Sequence, residues 1–417
     1  MIRGVLSNIF DKGAITIIQL LMIPVLTSAW GAEGYGIWLM LMTVPTFILL
    51  SDFGFGIAAG AAMTQAVALR DFARARNILH SAFLFTSIML TIAGSLGVAF
   101  AAYVYLHTDP GGVFSAPQIA GAVAVVVAYS AINALMLIIT MAYRATHAFA
   151  FAMSYSAIVI LIEGFTTLLL VHFGAHILQV TLTTFCLRLV SFPIFLNLLR
   201  RRQPWVSFGF SAATKDTFRA LLKPSLAALG LTFAAALLLQ GVLSGLGATA
   251  GAAVVAIFGP SRTLSRIPLQ FAGLVLRPSL PELTHALSTG NKALARRLDR
   301  LNLGIAAAVT MPFAIGLTLW GPQLLDFISA GNLGGSHVLF FWLSLAAVFN
   351  ALWNALAAGL IAMNRQVSFA PMALASAIAA ILVTLVTADA TIAAMAMAFA
   401  ECAVLIRVFW IRRKDGG

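Results

Sequence analysis

The sequence predicts an all-α integral membrane protein, with about twelve transmembrane helices in two six-helix lobes related by a parallel repeat. Three observations predict it. Of 417 residues, 61% are hydrophobic and only 9% charged, against about a quarter charged in a water-soluble chain. Long apolar runs are separated by breaks whose charge alternates along the chain. The two halves also carry one helix–loop layout twice. Thirteen acidic and 25 basic residues cannot build the polar shell of a soluble fold, which excludes a soluble enzyme, a disordered chain and a peripheral protein. The apolar runs are continuous, as in 119–142, and this excludes the short alternating segments of a transmembrane β-barrel.

A helix needs about 20 apolar residues to cross a hydrocarbon core about 30 Å thick. Read against charged and Gly/Pro/Asn breaks, the spans fall near 5–29, 35–68, 79–106, 119–143, 151–172, 178–199, 224–246, 251–284, 301–321, 337–362, 368–387 and 390–411. The first follows Arg3 and contains Gln19 and Pro24. It is longer than a secretory h-region and reads as a retained helix, not a signal peptide. The second and eighth are about 34 residues each, about 50 Å of helix. They exceed the bilayer core, so they must tilt, bend or project from it. Pro45 with Gly54, Gly56 and Gly60 in one, and Gly259-Pro260 with Pro268 in the other, are the expected bends.

The loops orient the spans. Arg70, Arg74, Arg76, Arg144, Arg200–Arg202, Lys292, Arg296, Arg297, Arg300 and Arg365 fall in one set of loops. The alternate loops, near 30–34, 107–118, 173–177, 247–250, 322–336 and 388–389, hold no Lys or Arg. The positive-inside rule then puts both termini in the cytoplasm, as expected in a bacterial inner membrane. The short outer loops leave no room for an external catalytic domain. The domains read as an N-terminal lobe 1–200, a basic cytoplasmic linker 201–223 and a C-terminal lobe 224–417. The net charge of +12 is spread over many loops, which argues against nucleic acid as a partner. Cys186 and Cys402 sit in apolar runs and read as packing residues. His172 and His176 flank Gly174 at a helix end, where a turn is a better reading than a metal site. No cofactor or metal is expected.

Shifted by 220 residues, the halves align without a gap from the second span onward. Gly31-Ala32 meets Gly251-Ala252, Thr43 meets Thr263, and Arg76 meets Arg296. An even number of spans separates the copies, so they share one topology. Repeat-built transporters hold their substrate near the midplane between the repeats.

Charges inside the membrane are the functional candidates, because each costs at least about 2.5–3.5 kcal/mol at the bilayer centre. Arg262, Arg266 and Arg277 share one helix. At about 100° per residue they fall within about 60° of one another, along about 22 Å of axis. The equivalent positions in the first half are Met42, Thr46 and Ile57, so only one lobe is armed, which points to an anionic ligand. Arg277 can also snorkel to the inner interface. Asp52 and Glu163 are the candidate ion- or proton-coupling groups; the other readings are a cap at the Gly54 break for Asp52 and a buried pair with an arginine for Glu163. Arg188, Glu282 and Glu401 complete the intramembrane charges. Glu401 has Arg407 six positions on, which is not a facing pair, and it takes no assignment from sequence.

Several segments carry a resemblance. They are Pro24, the turn Gly31-Ala-Glu-Gly-Tyr35-Gly36-Ile-Trp38, the stretch Leu50-Ser-Asp52-Phe-Gly54-Phe-Gly56 and the loop Arg70-Asp-Phe-Ala-Arg-Ala-Arg76. Together the chain resembles the polysaccharide-flippase (Wzx-like) branch of the multidrug/oligosaccharidyl-lipid/polysaccharide transporter superfamily. The match is clearest over residues 1–100 and otherwise covers the layout. The resemblance implies two lobes around a central cationic cavity, alternating access, and a polyprenyl-diphosphate-linked saccharide as cargo. It implies H+ or Na+ coupling and contact with polysaccharide-assembly proteins, as in O-antigen and lipopolysaccharide synthesis. Arg262 and Arg266 fit that cavity best by position.

The reading is therefore a flippase for a lipid-linked anionic saccharide, not an enzyme. A multidrug or organic-cation antiporter of the same superfamily is the first alternative, and it calls for acids to dominate the cavity. A membrane polymerase or ligase of polysaccharide assembly is the second, and no Asp-x-Asp motif supports it.

Overall fold

The computed structural model describes residues 2–50, 54–107, 112–146, 148–289, 291–363 and 365–415. The protein is an all-α multi-pass membrane protein. Every regular element among the described residues is helical, and ten helices are long and apolar enough to cross a membrane. The chain divides into two compact units, Met1–Trp30 with Leu41–Leu229, and Gly31–Met40 with Gly230–Gly417.

The first unit begins with α1 (Ile2–Leu41), which is two helical segments joined at Gly31 (φ 70°, ψ 179°). Pro24 lies inside the first segment, and Thr27 donates its hydroxyl to the Ile23 carbonyl at 2.7 Å. Trp30 fixes the end of that segment. Its indole N–H donates to the Ala175 carbonyl at 3.1 Å, and its ring meets Phe114 edge-on at 5.2 Å. The long second span is interrupted as expected: α2 (Val44–Leu50) and α3 (Phe55–Ala68) are separate, and Gly54 before α3 is left-handed (φ 73°). Then follow α4 (Phe72–His107), α5 (Ala116–Ala145), α6 (Phe149–His172) and α7 (Ile177–Arg202).

Aromatic residues fill this unit's core. Tyr143, Tyr155 and Phe195 stack at 4.6 Å, and the Tyr143 hydroxyl donates to the Phe195 carbonyl. His80 on α4 anchors the loop after α7. Its Nδ1 accepts the Ala212 N–H at 3.1 Å, which leaves Nε2–H to donate to Ser207 at 2.9 Å. The next helix, α8 (Lys215–Ala236), starts earlier than the apolar run beginning near 224. Its first turns are charged, but Phe218 and Leu221 pack into the first unit's core, a tertiary contact that hydropathy does not register.

In the second unit α8 passes into a π-helical turn, Leu237–Gly241, and then α9 (Val242–Ala250). Gly251 (φ 87°, ψ 168°) leads into α10 (Ala252–Ser288). Gly31 and Gly251, paired by the 220-residue repeat, thus adopt the same backbone conformation, one open to glycine and strained for other residues. The copies then diverge. Where the first breaks at Gly54, the second has Leu274 and stays helical through Pro260 and Pro268, so α10 runs 37 residues, about 55 Å. The second segment of α1 packs on α9 and α10. Leu39 lies against Gly259, Met40 against Gly247, and Gly36 meets the Ala252 backbone so closely that no Cβ fits there.

The unit closes with α11 (Lys292–Ile328), α12 (His337–Ala362), α13 (Ala370–Thr387) and α14 (Ala390–Asp415). Arg412 near the end of α14 pairs with Asp299 on α11 and donates to the Leu356 carbonyl at 3.1 Å.

Candidate functional site

Among the described residues, each unit holds a buried cluster of charged and polar side chains. In the first unit Glu163 on α6 is buried against Arg188 on α7. Arg188 Nε donates to Glu163 Oε1 at 2.7 Å and Nη2 to Oε2 at 2.5 Å. Tyr129 on α5 completes the arrangement. Its hydroxyl accepts from Arg188 Nη2 at 2.8 Å and donates to Glu163 Oε2 at 3.1 Å. Asn133, one turn along, accepts from Nη1 at 3.4 Å. The Arg188 guanidinium also lies over the Tyr129 ring, 5.1 Å from its centroid. A bidentate, ring-stacked guanidinium is a strong and directional partner for a carboxylate. Glu163 is therefore fully engaged.

In the second unit the arginines of α10 sit differently. Arg262 is half-buried, and its Nη1 donates to the Leu239 carbonyl in the π-helical turn. A π turn shifts the backbone hydrogen-bond register, and Arg262 covers the carbonyl presented there. Arg266, one turn further on, is also half-buried. Among the described residues it donates no hydrogen bond. It lies within electrostatic reach of Glu401 on α14 and of Arg262. Two like charges one turn apart on a helix repel each other. An anion placed between them relieves that repulsion and gives Arg266 the acceptor it lacks.

Glu401 is 5% exposed. It accepts from Asn350 Nδ2 at 3.0 Å and from the Trp353 indole at 2.6 Å, both on α12. Asn354 donates to the Asn350 carbonyl at 2.9 Å. Asn350, Trp353 and Asn354 are not among the residues expected at the site from the sequence. Their signal is three polar-tipped residues at i, i+3 and i+4 within an apolar span, which places them on one face.

Arg277 lies in α10, but its side chain is outside the described residues, and Asp52 is outside them altogether. Of the five candidate residues, the structure brings Arg262 and Arg266 together near Glu401, and it joins Glu163 to Arg188.

No protein-family model matches the sequence, and no curated protein matches it. Solved structures match the fold. An inward-facing multidrug resistance MATE family transporter of the MOP superfamily superposes with a TM-score of 0.70 at 13% identity, covering 96% of this chain and 94% of the other. A MATE transporter in complex with MaL6 gives 0.68 at 12% identity, covering 99% and 95%. A MOP superfamily transporter from Pyrococcus furiosus, whose binding pocket of reverse polarity suggests a different function for it, gives 0.66 at 13% identity, covering 99% and 94%.

Proposed function

With the fold of MATE transporters of the MOP superfamily as its premise, we propose that the protein is an alternating-access transporter of the bacterial inner membrane, with both termini cytoplasmic. We propose further that its cargo is a polyprenyl-diphosphate-linked oligosaccharide, flipped to the outer face. The observation that carries this reading is Arg266, a half-buried arginine with no hydrogen-bond acceptor among the described residues, one turn from Arg262. A diphosphate cannot enter hydrocarbon unpaired, and guanidinium groups match phosphate oxygens in geometry and charge. Only the head group needs this help, since the polyprenyl tail is at home in lipid. The binding pocket of reverse polarity described for the Pyrococcus furiosus transporter is a precedent for a different pocket polarity in this fold.

Glu401 beside the Trp353 indole favours a second reading, an antiporter for organic cations, because a carboxylate and an aromatic ring together attract such cations. Reconstituted vesicles separate the two. A fluorescent polyprenyl-diphosphate saccharide in the inner leaflet should become accessible outside only when the protein is present. Transport of an organic cation without any movement of the lipid would replace the proposed function with the antiporter.

A further inference from the structure

Each unit carries a polar cluster at the same depth along its helices, and the residues at that depth are opposite in charge. Arg188 and Glu401 are each the twelfth residue of their helix, counted from Ile177 in α7 and Ala390 in α14. Tyr129 and Asn350 are each the fourteenth, counted from Ala116 in α5 and His337 in α12. In the first unit the matched position is a cation clasped by a carboxylate through two hydrogen bonds, with a tyrosine closing the set. In the second it is a carboxylate held by two neutral donors, Asn350 and Trp353. Its arginine, Arg266, is near enough to interact electrostatically but forms no hydrogen bond with it. The first cluster is closed and the second is poised.

We propose that Glu401 is the resident counter-anion of Arg266. The phosphate of the cargo draws Arg266 away from it, and the released carboxylate takes up a proton. This rests on the anionic-cargo reading above. The proton comes from the water that admits the cargo and forms an O–H bond on one Glu401 oxygen. It departs when the cargo leaves and Arg266 turns back. No bond of the cargo breaks. Asn350 and Trp353 hold the carboxylate in place in both states, so the exchange moves a guanidinium and a proton but not the helix.

The groups around Glu401 leave few others to titrate. From α10 it faces Arg266, with Arg262 one turn beyond. From α12 it faces the neutral Asn350 and Trp353, and His337 is at the distant start of that helix. The segments α9 and α13 contain no titratable side chain. On α14 its nearest ionisable neighbours are Cys402 and Arg407. Arg277, Glu282 and His285 lie about 16 Å or more along α10 from Arg266. A counter-anion that must be displaced also selects the cargo: an anionic phosphate or sulfate head competes for Arg266, and a neutral head does not.

The test is anion binding by the full-length purified protein from about pH 5 to about pH 9, a range wide enough for a buried glutamate to titrate. The probe is a fluorescent prenyl sulfate, whose own charge is constant there. Wild type should bind it more tightly as pH falls. Glu401→Gln should bind as tightly as low-pH wild type at every pH, with a flat profile. Arg266→Ala should bind weakly throughout. A flat wild-type profile, or a Glu401→Gln profile like that of wild type, overturns the counter-anion proposal. It leaves the anionic-cargo reading standing if Arg266→Ala still loses binding. Equal binding by Arg266→Ala and wild type overturns both. If Glu401→Gln does not fold, weakly buffered wild type with a pH dye carries the test: adding the sulfate should draw protons from solution, and no uptake overturns the proposal.

Discussion

Arg188 clasps Glu163 through both carboxylate oxygens, at 2.7 and 2.5 Å, from a position 25 residues further along the chain. Both side chains are less than a tenth exposed. Removing either partner leaves a buried charge uncompensated, which costs about 3–5 kcal/mol. Glu163→Ala and Arg188→Ala should each lower the melting temperature in detergent sharply. The double variant Glu163→Met with Arg188→Met, which removes both charges and keeps the volume, should recover most of the loss. Single variants that melt like wild type would show that the pair does not hold α6 to α7.

Gly36 makes a sharper packing test. A Cβ at that position would overlap the Ala252 carbonyl, which is backbone and cannot rotate away. Gly36→Ala should cost about 1–3 kcal/mol, the usual penalty of overpacking. Gly94 on α4 is the control, since a Cβ there meets nothing within 4 Å. Gly94→Ala should be neutral or stabilising, by up to about 1 kcal/mol from helix propensity. Thermal unfolding of the two variants side by side reads the difference.

These contacts mark how far the sequence could be read. Local periodicity carried the Arg262–Arg266 stripe, because residues four apart must share a helix face. The 220-residue repeat carried the glycine turns at Gly31 and Gly251, because both positions need the same unusual backbone. The break at Gly54 was legible from the Gly54, Gly56 and Gly60 set itself, since its counterpart in the repeat is Leu274. Pro260 and Pro268 lie within a continuous helix, where neighbouring helices can compensate for the lost backbone bonds. The partners of Glu401 were not legible, since Asn350 and Trp353 lie 51 and 48 residues away on another helix. Within its own span the sequence offers Glu401 only Arg407, six positions on. Glu163 was likewise recognisable as a residue needing a partner, but only the packing of α6 on α7 selects Arg188.

The orientation of the chain has its own test. Ser115 lies in a loop without Lys or Arg, and Ser211 lies in the loop after Arg200–Arg202; both are exposed. In a background with Cys186 and Cys402 replaced by serine, single cysteines at these positions should label from opposite sides of the membrane with an impermeant thiol reagent. Ser211 should react only in inverted vesicles. Labelling of both from one side would overturn the assigned orientation and the direction of transport drawn from it.

The central claim is that Arg262 and Arg266 hold the anionic head of the cargo, and its most direct measurement is flipping of the lipid-linked saccharide in cells carrying arginine variants at normal protein level. Arg266→Ala should leave the saccharide on the cytoplasmic leaflet, because a charge-assisted partner is lost in a poorly hydrated site. Arg266→Lys should recover only part of the flux, since lysine keeps the charge without the guanidinium fork. Arg262→Ala should be milder than Arg266→Ala, because Arg262 already spends a donor on the Leu239 carbonyl. The double alanine variant should abolish flipping. Full flipping by that double variant, at wild-type protein level, would contradict the account.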